Sequence, residues 1–89
     1  MRPNEVVIKG VVEIVFNKET KEFKGKPFNE QKIVLGDNSN SQYPKKVAII
    51  LKGHAIEKLA EGQEVSLVCS IESREWKGRW FTEVSCWNV

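Results

Sequence analysis

The nine residues "SREWKGRWF", Ser73 to Phe81, set Trp76, Trp80 and Phe81 among Arg74, Lys77 and Arg79, around a Lys-Gly pair suited to a tight turn. These side chains do not form a nucleophile with a base beside it, so their chemistry is recognition rather than bond-making. Ring faces stack on flat partners, and guanidinium and ammonium groups attract anions. A single strand of nucleic acid offers both, because its unpaired bases expose flat faces and each phosphate carries a charge. A turn is also the part of a chain least able to bury a tryptophan, so these rings either fold back onto the protein or serve a partner.

A second set of candidates lies earlier. Phe23, Lys24, Lys26 and Phe28 fall in "EFKGKPF", and Tyr43 precedes Lys45 and Lys46 in "YPKK". The whole stretch from Asn17 to Lys46 holds seven lysines against four acids, and Arg74 to Trp80 holds three bases against one acid. Between them, Gly53 to Glu72 carries one lysine against four glutamates. Two basic segments flanking an acidic one can share a positive face in a compact fold, although the same counts suit an ordinary solvated loop surface.

Composition excludes several classes. Two cysteines, Cys69 and Cys86, and one histidine, His54, are too few for a disulfide scaffold or a zinc site. No paired carboxylates in a plausible cleft and no glycine-rich phosphate loop support an enzyme, a cofactor or a small-molecule substrate. No apolar run approaches the ~18 residues of a membrane span, and no leader pattern opens the sequence. The expectation is a soluble, cytoplasmic, single-domain protein over residues 1–89.

The elements that must hold these side chains read almost entirely as strands. "EVVIKGVVEIVF" alternates, with Val6, Ile8, Val12, Ile14 and Phe16 expected on the inner face and Gly10 marking a bend that lets one strand pair with two neighbours. "NKETKEFKGKPFNE" reads as a polar connection broken by Gly25 and Pro27. "KIVLG" and "KKVAIIL" are the second and third strands, separated by the turn-rich "DNSNSQYP". "GHAIEKLAEGQ" is the one helical candidate, with Ile56, Leu59 and Ala60 at helical spacing. "EVSLVCSIESREW" and "RWFTEVSCWNV" complete five strands, and no internal repeat is visible. Five strands with a short helix between the third and fourth is the order of an OB-fold, a five-stranded Greek-key barrel.

If Lys77 and Gly78 form a two-residue turn, Trp76 opposes Arg79, Arg74 opposes Phe81, Glu72 opposes Glu83 and Ile71 opposes Val84. Cys69 then faces Cys86 on the core side, and Arg74, Trp76, Arg79 and Phe81 share the other face. Glu72 across from Glu83 weighs against anion binding there, unless Arg74 neutralises the pair diagonally or the ligand's path avoids it.

The chain also resembles a family of small OB-fold proteins related to bacterial and phage single-stranded DNA-binding proteins, above all in "VVIKGVV", "QYPKKVAIIL" and "EGQEVSLVCSIESREWKGRWFTEVSCWNV". The resemblance implies sequence-tolerant binding of single-stranded DNA, with RNA left open, in replication, recombination or repair. Relatives in that wider group end in an acidic recruiting tail. This sequence ends at "CWNV", so recruitment through such a tail is not expected.

Each ring keeps an alternative use. Trp76 can stack on a base, contact a subunit or simply pack, and Trp80, one position out of phase, is expected to pack over the end of the barrel. Phe28 can anchor a strand in the core. Trp87, expected outward opposite Val68, suits an oligomer interface, which points to a homodimer or tetramer. An interaction module without nucleic acid is the competing function.

Overall fold

The computed structural model of the protein describes residues 4–37, 42 and 45–88. Tyr43 lies outside the described residues. Among those described, the strands are β1 (Glu5–Val15), β2 (Glu19–Phe23), β3 (Lys26–Gly36), β4 (Lys46–Lys52), β5 (Glu64–Trp76) and β6 (Arg79–Cys86). They hydrogen-bond in the order β1-β5-β6-β4-β3-β2, and β1 also pairs with β3. Five strands therefore close in a ring, with β2 attached outside it. The protein is all-β.

Ring closure rests on β1. Its first part pairs with β5, from Glu5 opposite Ser70 to Val11 opposite Glu64, and its last part pairs with β3, from Val11 opposite Gly36 to Val15 opposite Ile33. The exchange of partners falls at Val11, just past the bend expected at Gly10. A side chain at Gly10 would run into the carbonyl oxygen of Gly36. Three residues later the register shifts between Val12 and Ile14, leaving Glu13 as an extra residue. A one-residue insertion inverts the alternation of everything after it. Ile14 and Phe16, expected inward, are accordingly 42% and 45% exposed, and Val15 turns toward the core instead.

The inner residues of the ring strands fill its interior: Val12, Ile33, Leu35, Ile49, Leu51, Leu67, Cys69 and Cys86 are all buried. Both cysteines are free thiols. Burial pushes the Cys69 thiol from the ordinary 9.0 up to about 12, and raises Cys86 as well. They pack as small, protonated, apolar groups.

Two expectations from the sequence need correction. The segment after β4 is not a helix but a single 3-10 turn, Gly53–Ala55. Glu57 takes a left-handed φ of 63°, and its N–H donates to the side-chain oxygen of buried Gln31 at 2.8 Å rather than to a carbonyl one turn back. The other end of the Gln31 amide donates to the Phe16 carbonyl at 3.0 Å, so one side chain ties the exit of β1 to this connection. Of the three residues whose spacing suggested a helix, Leu59 is buried, Ile56 packs only partly against the core and Ala60 is exposed, while Ala55 drops into the core from the 3-10 turn.

The Lys-rich connection is likewise not a loop but the β2–β3 hairpin, paired from Glu19 opposite Glu30 to Phe23 opposite Lys26. Its turn, Lys24-Gly25, has φ values of 52° and 77°; the β5–β6 turn, Lys77-Gly78, has 52° and 79°. Positive φ at both central residues is the geometry that matches the twist of paired strands. Pro27 is accommodated because it sits one step from the hydrogen-bonded closing pair, where the missing N–H would point away from β2.

Gly10→Ala is expected to lower stability by about 1–3 kcal/mol, because its new methyl meets backbone. Gly36→Ala should cost less, since the atoms it meets belong to the flexible end of Glu13. Urea denaturation of the two variants checks the order; equal midpoints would contradict it.

Candidate nucleic-acid interface

Strand alternation sorts the outward side chains. The residues that face away from the core are Phe28, Glu30 and Lys32 on β3, Ala48, Ile50 and Lys52 on β4, and Phe81 and Glu83 on β6, followed by Trp87 just past the strand. The β5–β6 hairpin adopts the expected register, with Ile71 opposite Val84, Glu72 opposite Glu83, Arg74 opposite Phe81 and Trp76 opposite Arg79. Arg74, Trp76, Arg79 and Phe81 therefore share one face. Trp76 is 62% exposed. Trp80 does not pack over an end of the ring: it opposes Glu75 on the other face of the hairpin and is 68% exposed. The hairpin extends beyond the ring here, so there is nothing beneath that ring to cover it.

β6 touches β4 only through Ile50 opposite Ser85 and Leu51 opposite Cys86, in parallel. Beyond those pairs the two strands part, and a groove of about 630 Å³ opens between the β5–β6 hairpin and the β2–β3 hairpin. Lys32, Ala48 and Ile50 line it from the ring, Phe81 and Glu83 from one hairpin, and Lys21 from the other. Because β6 runs parallel to β4, the Trp76–Arg79 tip lies toward the Lys46 end of β4. Because β3 runs antiparallel to β4, the Phe23–Lys26 tip lies past the Lys52 end. Each tip carries a lysine over an aromatic ring, Lys77 at 4.5 Å from the Trp76 centroid and Lys24 at 5.4 Å from that of Phe23.

The cations divide into two kinds. Inside the groove all but Lys32, which makes no ion pair among the described residues, are already answered by carboxylates: Lys21 meets Glu30 at 2.6 Å and Glu19 at 3.9 Å, while Glu83 takes both Arg74 at 3.1 Å and Lys52 at 3.4 Å. The bond to Glu30 raises the Lys21 ammonium above its usual 10.5. Arg74 thus neutralises the strained Glu72–Glu83 pair, as the diagonal alternative required. At the tips, by contrast, Lys24, Lys26, Lys77 and Arg79 make no ion pair among the described residues. Lys46 is held by Glu13 at 2.9 Å, and with Lys45 it borders a separate hollow beside Gly36.

The candidate residues are therefore not one patch. Arg74, Trp76, Arg79 and Phe81 are brought together, Phe23, Lys24 and Lys26 form the opposite tip, Phe28 lies between that tip and Lys52, and Trp80, Lys45 and Lys46 stand apart. Lys21, Lys32, Lys52, Glu83 and Trp87 were not singled out for the site from the sequence. Extending the alternation of "KKVAIIL" by one residue would have found Lys52, and Glu83 and Trp87 were read as outward but not as parts of one groove. Among the described residues no three His, Cys, Asp or Glu side chains converge to hold a metal, and no helix is long and apolar enough to cross a membrane.

These features define a small all-β protein with a surface groove between two aromatic, basic hairpin tips. The chain belongs to the family described as a domain of unknown function, DUF3127, which matches residues 7–89. No curated protein matches the chain.

Removing the carboxylate that occupies Arg74 and Lys52 should make this face more cationic. Glu83→Gln is expected to elute from immobilised heparin at higher salt than the parent, with some loss of stability because Lys52 and Glu83 are only 19% and 26% exposed. Earlier elution would show that Glu83 does not hold back the site's charge.

Proposed function

We propose that the chain is an OB-fold that binds single-stranded DNA without sequence preference, in replication, recombination or repair. The observation that carries this reading is the pairing of Trp76 and Phe81 with Arg79 and Arg74 on one exposed face at the mouth of the groove. Stacked bases need such rings, and the phosphates between them need the cations. The fold supports it too. OB-folds bind oligonucleotides on the second and third barrel strands and on the loops between strands one and two and strands four and five. The ring strands at those places are β3 and β4, the first loop is drawn out into the β2 hairpin, and the second is the Lys77-Gly78 turn.

Oligo-dT should bind more tightly than duplex DNA of the same length. With the four tip cations Lys24, Lys26, Lys77 and Arg79 on phosphates, the logarithm of affinity should fall against that of salt with a slope of about −3. Trp76→Ala should weaken binding by about 1–3 kcal/mol and leave the melting temperature nearly unchanged, whereas Ile49→Ala, which truncates a fully buried core residue, should lower stability. Fluorescence anisotropy with labelled oligonucleotides measures the affinities, and thermal melting followed by circular dichroism measures the stabilities. Equal affinity for duplex, or no salt dependence, sinks the reading.

Self-association is a second proposal, favoured by a different observation. Val7 and Val68 oppose one another on the outside of β1 and β5, and both are about half exposed. A second copy covering this apolar pair would remove it from water. Light scattering at tens of micromolar should give a dimer or tetramer for the parent and a monomer for Val68→Lys; a monomeric parent rules this out.

A further inference from the structure

Past the Lys52 end of the groove lies a second hollow, of about 350 Å³, bounded by Phe28, Asn29, Lys52, Gly53, Ile56 and Trp87. Two of its walls are aromatic, and both rings are accessible, Phe28 at 38% and Trp87 at 57%. The indole lies on bare backbone: a Cβ at Gly53, where φ is +57°, would stand 3.0 Å from the Trp87 ring. The Lys52 ammonium is 5.8 Å from the centre of that ring and 3.4 Å from Glu83, which lines the groove. One cation thus stands at the passage between groove and hollow.

We infer that this hollow takes one nucleobase of the bound single strand, stacked on Trp87, and that the phosphodiester leading back into the groove passes over Lys52. The inference rests on the single-strand reading and adds a base site to it. The hollow continues the groove toward the Phe23–Lys26 tip, so a strand running from one tip to the other crosses it. Asn29 places an amide at its rim; its oxygen accepts from the Thr20 hydroxyl at 2.8 Å, which leaves the amide nitrogen to donate to the edge of a base. Lys52 can exchange Glu83 for a phosphate without orphaning the carboxylate, because Arg74 still holds Glu83 at 3.1 Å. An apolar peptide side chain would fill the space but leave the cation at its entrance without a role.

The test uses the full chain carrying W76F and W80F, which leaves Trp87 as the sole tryptophan, titrated with fluorescein-labelled oligo-dT. Anisotropy reports binding, and Trp87 emission with acrylamide accessibility reports the hollow. A rise in anisotropy accompanied by quenching and shielding of Trp87 supports the inference. A rise in anisotropy with Trp87 unchanged at saturation overturns it while leaving the groove reading intact, and absence of any binding overturns both. Trp87→Ala should weaken oligo-dT binding by about 5- to 150-fold. Since Trp87 packs on Gly53, Phe28→Ala in the same background is the second variant: a folded F28A protein with parental affinity counts against the slot, and weakened binding with a diminished Trp87 response supports it.

Discussion

Closing the ring depends on a backbone contact that only glycine permits. β1 has to leave β5 and join β3 within one continuous strand, and Gly10 is the point where the carbonyl of Gly36 comes into the space a side chain would fill. The extra residue at Glu13 then turns the strand so that Val15, rather than Ile14, meets the core. Without this crossing β1 could hydrogen-bond to one neighbour only, and the sheet would stay open, with an exposed edge in place of an interior. The outward face of β3 and β4, on which the groove lies, exists because the inward face is fixed by that closure.

Charge pairing shapes what the groove can hold. Glu30 and Glu83 occupy Lys21, Lys52 and Arg74, so within the groove only Lys32 is left without an ion pair among the described residues, while four more unpaired cations sit at the hairpin tips. A polyanion is attracted first where charge is free. The middle of the track is left to rings and to the aliphatic stems of its lysines. Such a division favours flat, weakly polar groups in the groove and phosphates at its rim, and it keeps a protein of modest net charge from behaving as a general polyanion binder.

How much of this could be read from residues differs by element. The β5–β6 register was legible down to individual pairs, because two-residue alternation and a Lys-Gly turn fix every partner at once. The same Lys-Gly pattern stands in "EFKGKPF", yet the β2–β3 hairpin read as a loop: all of β2 is exposed, so no buried face imposes an alternation. Ile56, Leu59 and Ala60 mimic a helical stripe, but the Glu57 N–H is claimed by Gln31, a partner 26 residues away. The Glu13 bulge leaves no local mark at all. At the site, the rings of the second hairpin were found because they crowd one turn. The Phe28–Trp87 hollow was not, because its walls come from residues nearly sixty positions apart and meet only through the parallel contact of β4 with β6.

Both turns place a lysine where the backbone is left-handed, a conformation that asparagine or glycine adopts more readily. For a residue with a full side chain the difference is about 1–2 kcal/mol. Each hairpin is therefore less stable than its own geometry allows, and the shortfall falls on the very residue that holds a cation over an aromatic ring. Stability and surface charge are in competition at two symmetric points of the molecule. Variants selected only for resistance to heat would be drawn to asparagine or glycine at positions 24 and 77, and would lose one of the two cations at each tip.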